Sequence, residues 1–239
     1  MATEVWIVRV GSIQYDDARV LQKRLEAARQ AESIPDVLLL LEHPPVYTKG
    51  RRSTPDELPM GEDWYRMQGI EVTDTDRGGR VTYHGPGQLV GYPIVGLRAY
   101  DDDVHAYIRR MERVMIDSLG EWGVDAELIE GQTGVWVGER KIGSIGVHVN
   151  RGVTTHGLAI NVNNDLQPFE WIVPCGIEAC QVTSLCRERG DKQDMGAFMD
   201  TVARMFGEIY DREPVEVAPS ELHARAGTRE PEAQEAALS

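Results

Sequence analysis

Three β-rich runs within residues 134–162 constrain the fold of this chain most strongly. The stretch GVWVGERKIGSIGVHVNRGVTTHGLAINV is interrupted by Gly138-Glu139 and by Asn150-Arg151-Gly152. Strands joined by short turns of this kind form antiparallel meanders. Helical patterns precede and follow the meander, and no change in composition divides the 239 residues. We therefore expect an α/β fold with a mixed, largely antiparallel sheet flanked by helices.

Strands and helices are also predicted on both sides of the meander. VWIVRV and DVLLLLE are typical of strands, and apolar spacings of three and four predict helices that begin near Asp16, Asp103 and Met195. The predicted buried face of the first helix comprises Val20, Leu21, Leu25 and Ala28. The polar residues 47–64 are expected to form a long loop. We predict a single domain over residues 1–220 and a flexible tail over 221–239, which has little apolar surface to bury.

Charge and cysteine content exclude several classes of function. A net charge of −14 argues against a general nucleic-acid binder. The longest apolar run, residues 37–41, is too short to cross a membrane, and the N-terminus does not resemble a secretory signal, so we expect a cytoplasmic protein without a membrane partner. Cys175, Cys180 and Cys186 suit neither disulfides in a reducing compartment nor a zinc site, which would need closer cysteine pairs.

The densest functional signal is RGGRVTYHGPGQ, residues 77–88. Its glycines would let a ligand approach the backbone, Arg77 and Arg80 offer forked donors for an anion or a carbonyl, and His84 adds a titratable ring. The phosphate-binding pattern G-x4-G-K-[ST] is absent, so nothing here indicates nucleotide chemistry. Taken alone, the composition favours a glycine-rich turn with two surface arginines and a structural histidine.

Two further segments suggest thiol chemistry. In WIVPCGI, Cys175 lies between Pro174 and Gly176, a bend that can expose a sulfur, although a lone cysteine is more often a small buried hydrophobe. Lys141 precedes IGSIG in the meander, and an ammonium close to a thiol would stabilise the thiolate. The alternative for Lys141 is a charge solvated at the tip of a hairpin. Cys180 and Cys186 are interpreted as core or incidental residues.

Small residues are the third signal. Ser144-Ile145-Gly146 and Gly157-Leu158-Ala159 fall on neighbouring runs of the meander. Together they could form a smooth apolar floor for a linear acyl chain. They could equally permit close packing of strands, which is the safer interpretation of these residues taken alone.

Together these segments resemble the octanoyltransferase family of lipoate biosynthesis, the lipoyl(octanoyl) transferases. RGGRVTYHGPGQLVGY agrees with the pattern R-G-G-x-x-T-aromatic-H-x-x-G-Q-x-x-x-Y at every specified position, and GVWVGERKIGSIGV, THGLAINV and PCGI follow in order. The resemblance extends from the first strand to the helix near Met195. It implies a fold similar to the catalytic domains of biotin protein ligases and lipoate–protein ligases.

The resemblance also implies an activity, which is transfer of octanoyl from acyl carrier protein to a specific lysine of lipoyl domains. The expected acceptors are the lipoyl domains of 2-oxoacid dehydrogenase complexes and the glycine cleavage H protein. Cys175 would be the acyl-thioester nucleophile and Lys141 the residue that favours its thiolate. The implied substrate-binding residues are Arg77, Gly78, Gly79, Arg80, Val81, Thr82, Tyr83, His84, Ser144, Ile145, Gly146, Gly157, Leu158 and Ala159. Because a thioester donor is already activated, we expect no ATP, no metal and no cofactor beyond the phosphopantetheine on the carrier protein.

Two alternatives stay open. An ATP-dependent lipoate–protein ligase on the same fold would form an acyl-adenylate and needs no nucleophilic cysteine, so Cys175 and Lys141 favour the transferase. A non-catalytic binder of acyl carrier protein or lipoyl domains would need neither residue. For docking of such acidic partners on an acidic chain we expect a local basic patch, and the candidates are Lys49, Arg51 and Arg52 in the long loop. These three residues could also be a simple solvated loop.

Overall fold

The meander supplies three adjacent strands of a large sheet. The computed structural model describes residues 3–173 and 181–226 of the chain. The strands in this part are β1 (Thr3–Ser12), β2 (Asp36–Glu42), β3 (Val46–Lys49), β4 (Glu71–Asp74), β5 (Thr82–His84), β6 (Gln88–Ile94), β7 (Glu127–Ile129), β8 (Gln132–Val137), β9 (Arg140–Asn150), β10 (Val153–Asn161), β11 (Gln181–Val182) and β12 (Arg212–Glu216). The helices are α1 (Tyr15–Gln30), α2 (Glu62–Met67), α3 (Val104–Glu121), α4 (Gln167–Glu170), α5 (Leu185–Arg189), α6 (Met195–Tyr210) and α7 (Pro219–Arg225).

Nine of these described strands make up the large sheet. Their order is β12–β1–β2–β6–β10–β9–β8–β7, with β11 paired to β9. The pairs β12–β1, β1–β2 and β11–β9 are parallel, and the other pairs are antiparallel. The predicted meander corresponds to β8, β9 and β10, with turns at Gly138 and Gly152 that take positive φ. The predictions of a meander and of a mixed, largely antiparallel sheet are confirmed.

Helices cover both faces of the sheet. Helices α3 and α6 pack against each other on one face, and α1 packs on the other. The strand β2 shows why its sequence is continuously apolar: Leu38 and Leu40 belong to the core under α3 and α6, whereas Leu39 and Leu41 belong to the core under α1. A strand buried on both faces has no side for polar residues.

A second, smaller sheet carries part of the candidate site. Its order is β4–β3–β5, and its core contains Tyr47, Tyr65 and Tyr83. The prediction of a long loop over residues 47–64 is therefore wrong, because this stretch contains the end of β3, a 3-10 turn (Pro55–Glu57) and the start of α2. Buried tyrosines anchor the segment. They are separated by charged residues, so the sequence shows no apolar periodicity there.

Two other predictions need correction. Val20 is 49% exposed, because it lies about half a turn around α1 from the buried Ala18 and Leu25. The predicted tail begins too early, since Leu222 is 1% exposed and α7 packs against β1. Residues 219–226 are thus part of the folded domain, and residues 227–239 lie outside the described residues. In the described ranges, no helix has the length and apolar character needed to cross a membrane.

Candidate active site

A cavity of about 450 Å³ lies between the meander and the loop that precedes β5. Its walls include most of the residues that the sequence singled out, namely Arg77, Gly78, Gly79, Arg80, Thr82, His84, Lys141, Ser144, Ile145, Gly146, Gly157, Leu158 and Ala159. Val81 and Tyr83 instead pack into the core of the small sheet. Side chains alternate between the two faces of a strand, so Thr82 and His84 reach the cavity while their neighbours do not.

Arg77 anchors the glycine loop to the rest of the domain. Its Nη2 donates to the carbonyl and to the hydroxyl of Thr48, both at 2.7 Å, and its Nη1 donates to the Gly78 carbonyl at 3.0 Å. The Gly78 amide in turn donates to the carbonyl of Val147 at 2.8 Å. The loop is therefore tied to β3 on one side and to β9 on the other.

Arg80 neutralises a buried carboxylate. Its Nη1 lies 2.6 Å from Oε1 of Glu57, a residue only 1% exposed. The second oxygen of Glu57 accepts the Val81 amide at 3.2 Å. Burying a carboxylate without such partners would be costly. Both arginines thus have acceptors inside the protein, and their use as donors to a ligand stays a prediction.

Two glycines allow the walls of the cavity to approach each other. A Cβ at Gly146 would lie 3.1 Å from Cδ of Arg77, and a Cβ at Gly157 would lie 2.4 Å from the carbonyl oxygen of Gly91. Close packing, the alternative interpretation of the small residues, therefore applies at both positions. Ile145 and Leu158 lie beside these glycines and add apolar surface to the same cavity.

Lys141 is buried at the cavity wall with 6% of its surface exposed. Its Nζ donates to the carbonyl of Thr133 at 3.0 Å and lies 5.2 Å from the ring centroid of Trp136, its cross-strand neighbour on β8. The alternative of a solvated charge at a hairpin tip is therefore wrong. Cys175, the predicted partner of Lys141, lies outside the described residues, as does Cys180. Cys186 is a partly buried free thiol.

His84 presents a neutral ring to the cavity. Its Nδ1 lies 2.7 Å from Oε1 of Gln88, whose Nε2 donates to the Tyr83 carbonyl and to Asn161. The Gln88 oxygen is thus the acceptor, and Nδ1 of His84 carries the proton. Burial, followed by the charge of nearby His43, lowers the pKa of His84 well below its ordinary value.

The sequence analysis missed a second histidine and its carboxylate at this cavity. His156 lies on the wall, 2% exposed, with Nε2 2.7 Å from Oδ1 of Asp76. Asp76 also pairs with Lys23 at 2.9 Å, and its hydrogen bond from His156 is the main cause that holds its pKa far below the ordinary value. Both residues directly adjoin motif residues, Asp76 before Arg77 and His156 before Gly157, and that adjacency is the signal that could have found them.

Two tyrosines complete the wall around these histidines. The Tyr15 ring is nearly parallel to the rings of His84 and His156, with centroid distances of 6.0 and 6.5 Å. Tyr92, the final aromatic residue of the sequence motif, lines the cavity and donates its hydroxyl hydrogen bond to Nε2 of His43 at 2.7 Å. The imidazole rings therefore have fixed orientations.

The proposed basic docking patch is smaller than the sequence indicated. Lys49 pairs with Glu62 at 2.7 Å and with Asp74 at 3.3 Å, so its charge is neutralised within the domain. Arg52 lies on the cavity wall and Arg51 is exposed. A docking role for these two arginines stays a prediction. Among residues 3–173 and 181–226, no three histidine, cysteine or acidic side chains are placed to hold a metal ion.

Sequence relatives decide the family. The model of the lipoyl protein ligase A/B catalytic domain matches residues 14–207. An octanoyltransferase of Solibacter usitatus is 47% identical over 205 residues, which cover 86% of this chain and 92% of that relative. An octanoyltransferase of Mycolicibacterium smegmatis is 45% identical over 216 residues, covering 88% of this chain and 91% of that relative.

The chain belongs to the octanoyltransferase family. It is therefore a transferase that acts on octanoyl groups in protein lipoylation, and the resemblance found in its motifs is confirmed.

Solved structures of lipoate and biotin protein ligases share the fold of this octanoyltransferase. A bipartite lipoate protein ligase from Thermoplasma acidophilum superimposes with a TM-score of 0.73 at 18% identity, covering 94% of this chain and 91% of that one. A biotin protein ligase from Aquifex aeolicus superimposes with a TM-score of 0.51 at 13% identity, covering 87% and 69%. These identities show a shared fold alone, so the expected fold is confirmed. The sequence relatives, rather than the fold, distinguish the transferase from the ligases.

Proposed function

We propose that this octanoyltransferase takes its acyl group from octanoyl-acyl carrier protein, holds it as a thioester on Cys175 and delivers it to a lysine of a lipoyl domain. The observation that carries the proposal is the buried ammonium of Lys141 on the wall of a cavity that also presents Ile145 and Leu158. A cation and an apolar surface together suit a thiolate and an acyl chain.

The first half-reaction moves octanoyl between two sulfurs. The Cys175 thiolate attacks the thioester carbonyl, a new C–S bond forms, and the phosphopantetheine sulfur leaves with the electron pair of the old one. Lys141 favours the attacking thiolate by charge, and the effect is stronger in a site from which water is excluded. Because one thioester replaces another, this step is close to thermoneutral and needs no ATP.

The second half-reaction forms an amide. The amine of the acceptor lysine attacks the octanoyl carbonyl, and the Cys175 sulfur leaves. An amide is more stable than a thioester, so the transfer is downhill without a metal or a nucleotide. A dry cavity would protect the intermediate from hydrolysis, and the apolar side chains of Ile108, Ile145 and Leu158 line it.

The proposed partners are those that the resemblance to the family implies. We assign as acceptors the lipoyl domains of 2-oxoacid dehydrogenase complexes and the glycine cleavage H protein, and as compartment the cytoplasm. The Thermoplasma acidophilum ligase of the same fold was described with its E2 lipoyl domain, which supports a lipoyl domain as acceptor here. For the acidic carrier protein, Arg51 and Arg52 are the proposed contacts.

The experiment is incubation with octanoyl-acyl carrier protein in the absence of ATP, followed by measurement of the intact mass. We expect one octanoyl group on the enzyme, mapped to Cys175 and released by hydroxylamine. Cys175→Ser should form no thioester adduct, whereas Cys186→Ser should acylate like the unmodified enzyme. Acylation that requires octanoate and ATP would contradict the proposal and indicate a ligase.

A further inference from the structure

The His156–Asp76 pair leaves one ring nitrogen unused. Because Asp76 is a carboxylate, Nε2 of His156 carries the proton and donates it, and Nδ1 has a lone pair. This Nδ1 is buried and has no hydrogen-bond partner among the described residues. Buried polar atoms in native proteins nearly always have a partner. The described part of the fold therefore supplies no donor to this nitrogen, although His156 lies on the cavity wall.

The backbone of His156 is strained. Its φ is 57° in the middle of β10, in the left-handed region that residues other than glycine seldom enter. Its amide donates to Oε1 of Gln22 on α1 at 2.6 Å, and the following Gly157 has no room for a side chain. Strained residues that their surroundings hold in place cluster at functional sites. The unpartnered ring nitrogen and the strained backbone are independent observations on the same residue.

The surroundings keep this ring neutral and fixed. Burial is the main cause that lowers the pKa of His156 below its ordinary value, and it outweighs the opposite effect of Asp76. The rings of Tyr15 and Tyr92 enclose the imidazole at centroid distances of 6.5 and 6.0 Å. The charged groups and further histidines that face the ring or its carboxylate partner are Asp76, Arg77, Lys23, His84 and His148.

Only one of the two half-reactions requires a base. Exchange between sulfurs begins and ends with a thiolate, so no proton must be removed during the attack. The acceptor lysine is an ammonium near neutral pH and has no lone pair until it loses a proton. A neutral imidazole with a free acceptor nitrogen is the group most often used for that purpose.

We propose that His156 is the base of the second half-reaction and that its Nδ1 takes a proton from the acceptor lysine. This inference rests on the proposed function. The ammonium loses one proton to Nδ1, its nitrogen lone pair forms the C–N bond, and the C–S electron pair returns to Cys175. The nitrogen then loses its second proton to the Cys175 thiolate, and the His156 imidazolium releases its proton to solvent. The net products are the amide, the free thiol and one proton.

Asp76 acts through His156 as a positioning residue. Its carboxylate holds the proton on Nε2, which leaves Nδ1 as the acceptor, and it stabilises the imidazolium that forms. Replacement by asparagine would allow the amide to donate to Nε2. The ring proton would then move to Nδ1, where it blocks the proposed acceptor.

The test measures the two half-reactions separately in His156→Gln. Glutamine can still donate to Asp76 but has no base at the Nδ1 position. We expect acylation by octanoyl-acyl carrier protein to change little and transfer from the acyl-enzyme to a lipoyl domain to slow by about 100-fold or more. Release of octanoyl by hydroxylamine, an amine that is already neutral, should stay at the unmodified rate. The matched control is His105→Gln, at an exposed position on α3.

A second variant distinguishes loss of the proposed base from misfolding of His156→Gln. Asp76→Asn alters a half-buried side chain outside β10, and it should slow transfer to the lipoyl domain while leaving acylation and hydroxylamine release intact. Equal transfer rates in the unmodified enzyme and in both variants would overturn the inference alone. Loss of acylation and transfer in equal measure in a folded variant would also overturn it. Failure of the unmodified enzyme to form the acyl-enzyme would overturn the proposed function and this inference together.

Discussion

Lys141 and Trp136 face each other across β9 and β8, with the ammonium nitrogen 5.2 Å from the centroid of the indole ring. The ring attracts a cation over its face, and the Thr133 carbonyl accepts a hydrogen bond from the same ammonium at 3.0 Å. These contacts help to fix the Lys141 charge at the cavity wall, where the proposed mechanism requires it.

Removal of that charge should change the reactivity of Cys175. We expect Lys141→Ala to move the pH profile of iodoacetamide alkylation at Cys175 to higher pH, because the thiolate loses a stabilising cation. Mass spectrometry of the alkylated peptide at a series of pH values measures this. Lys192→Ala, at an exposed position, is the control and should leave the profile unchanged. Coincident profiles for the unmodified enzyme and Lys141→Ala would show that Lys141 has no influence on the thiol.

Acid should destabilise the fold through His43. Its Nδ1 donates to the Ile13 carbonyl, its Nε2 accepts from Tyr92, and burial lowers its pKa to about 4. The unfolded chain binds the proton more tightly, with a pKa of about 6.5, so the stabilising contribution is complete above that pH and is lost towards pH 4. We expect His43 to remove about 2 kcal/mol of unfolding free energy between pH 7 and pH 5. Urea unfolding of the unmodified protein and of His43→Gln at both pH values measures this contribution as the difference between their pH dependences, and equal pH dependences would refute the burial argument.

Gly157 should not tolerate a side chain. A Cβ there would lie 2.4 Å from the Gly91 carbonyl oxygen on β6, so Gly157→Ala must separate the strands and should cost about 1–3 kcal/mol of stability. Thermal unfolding measures the loss. Gly120→Ala on α3 is the control, because no neighbouring atom lies within 4 Å of the position that its Cβ would take and alanine favours helix. A melting temperature of Gly157→Ala equal to that of the unmodified protein would contradict the packing described.

Leu222 should contribute to the core, although the sequence predicts it in the tail. Leu222→Ala removes a side chain that is 1% exposed, and we expect a loss of about 2–4 kcal/mol in the free energy of unfolding. Leu128→Ala, at a side chain 43% exposed, should cost much less. Denaturant unfolding of the two variants distinguishes them. Equal effects would mean that α7 does not stabilise the domain.

Local patterns explain which parts of the fold can be predicted. The meander and α3 have periodicities that are visible within a few residues, and the predictions of both are confirmed. The small sheet could not be predicted in this way, because β3, β4 and β5 have only three or four residues each. Their pairing depends on buried tyrosines such as Tyr47 and Tyr65, which are separated by charged sequence.

The candidate site was also predictable only where its signal lies within a short stretch of sequence. Motifs singled out most of the cavity residues, but contacts between residues distant in sequence complete the site. Arg77 binds Thr48, and His156, which the sequence analysis missed, binds Asp76, 80 positions away. Spacing along the chain carries no signal for such pairs. A pattern of residue types can therefore indicate a site, whereas the roles of its charged groups depend on contacts made only in the folded state.

Passage of octanoyl through Cys175 without ATP is the central claim. The most direct test isolates the octanoyl-enzyme from its donor and mixes it with a lipoyl domain in the absence of nucleotide, and mass spectrometry then follows both proteins in time. We predict that the octanoyl mass leaves Cys175 and arrives on one lysine of the lipoyl domain at matching rates. Octanoylation of the lipoyl domain by Cys175→Ser at the unmodified rate, or an octanoyl-enzyme that cannot acylate the lipoyl domain, would contradict the account.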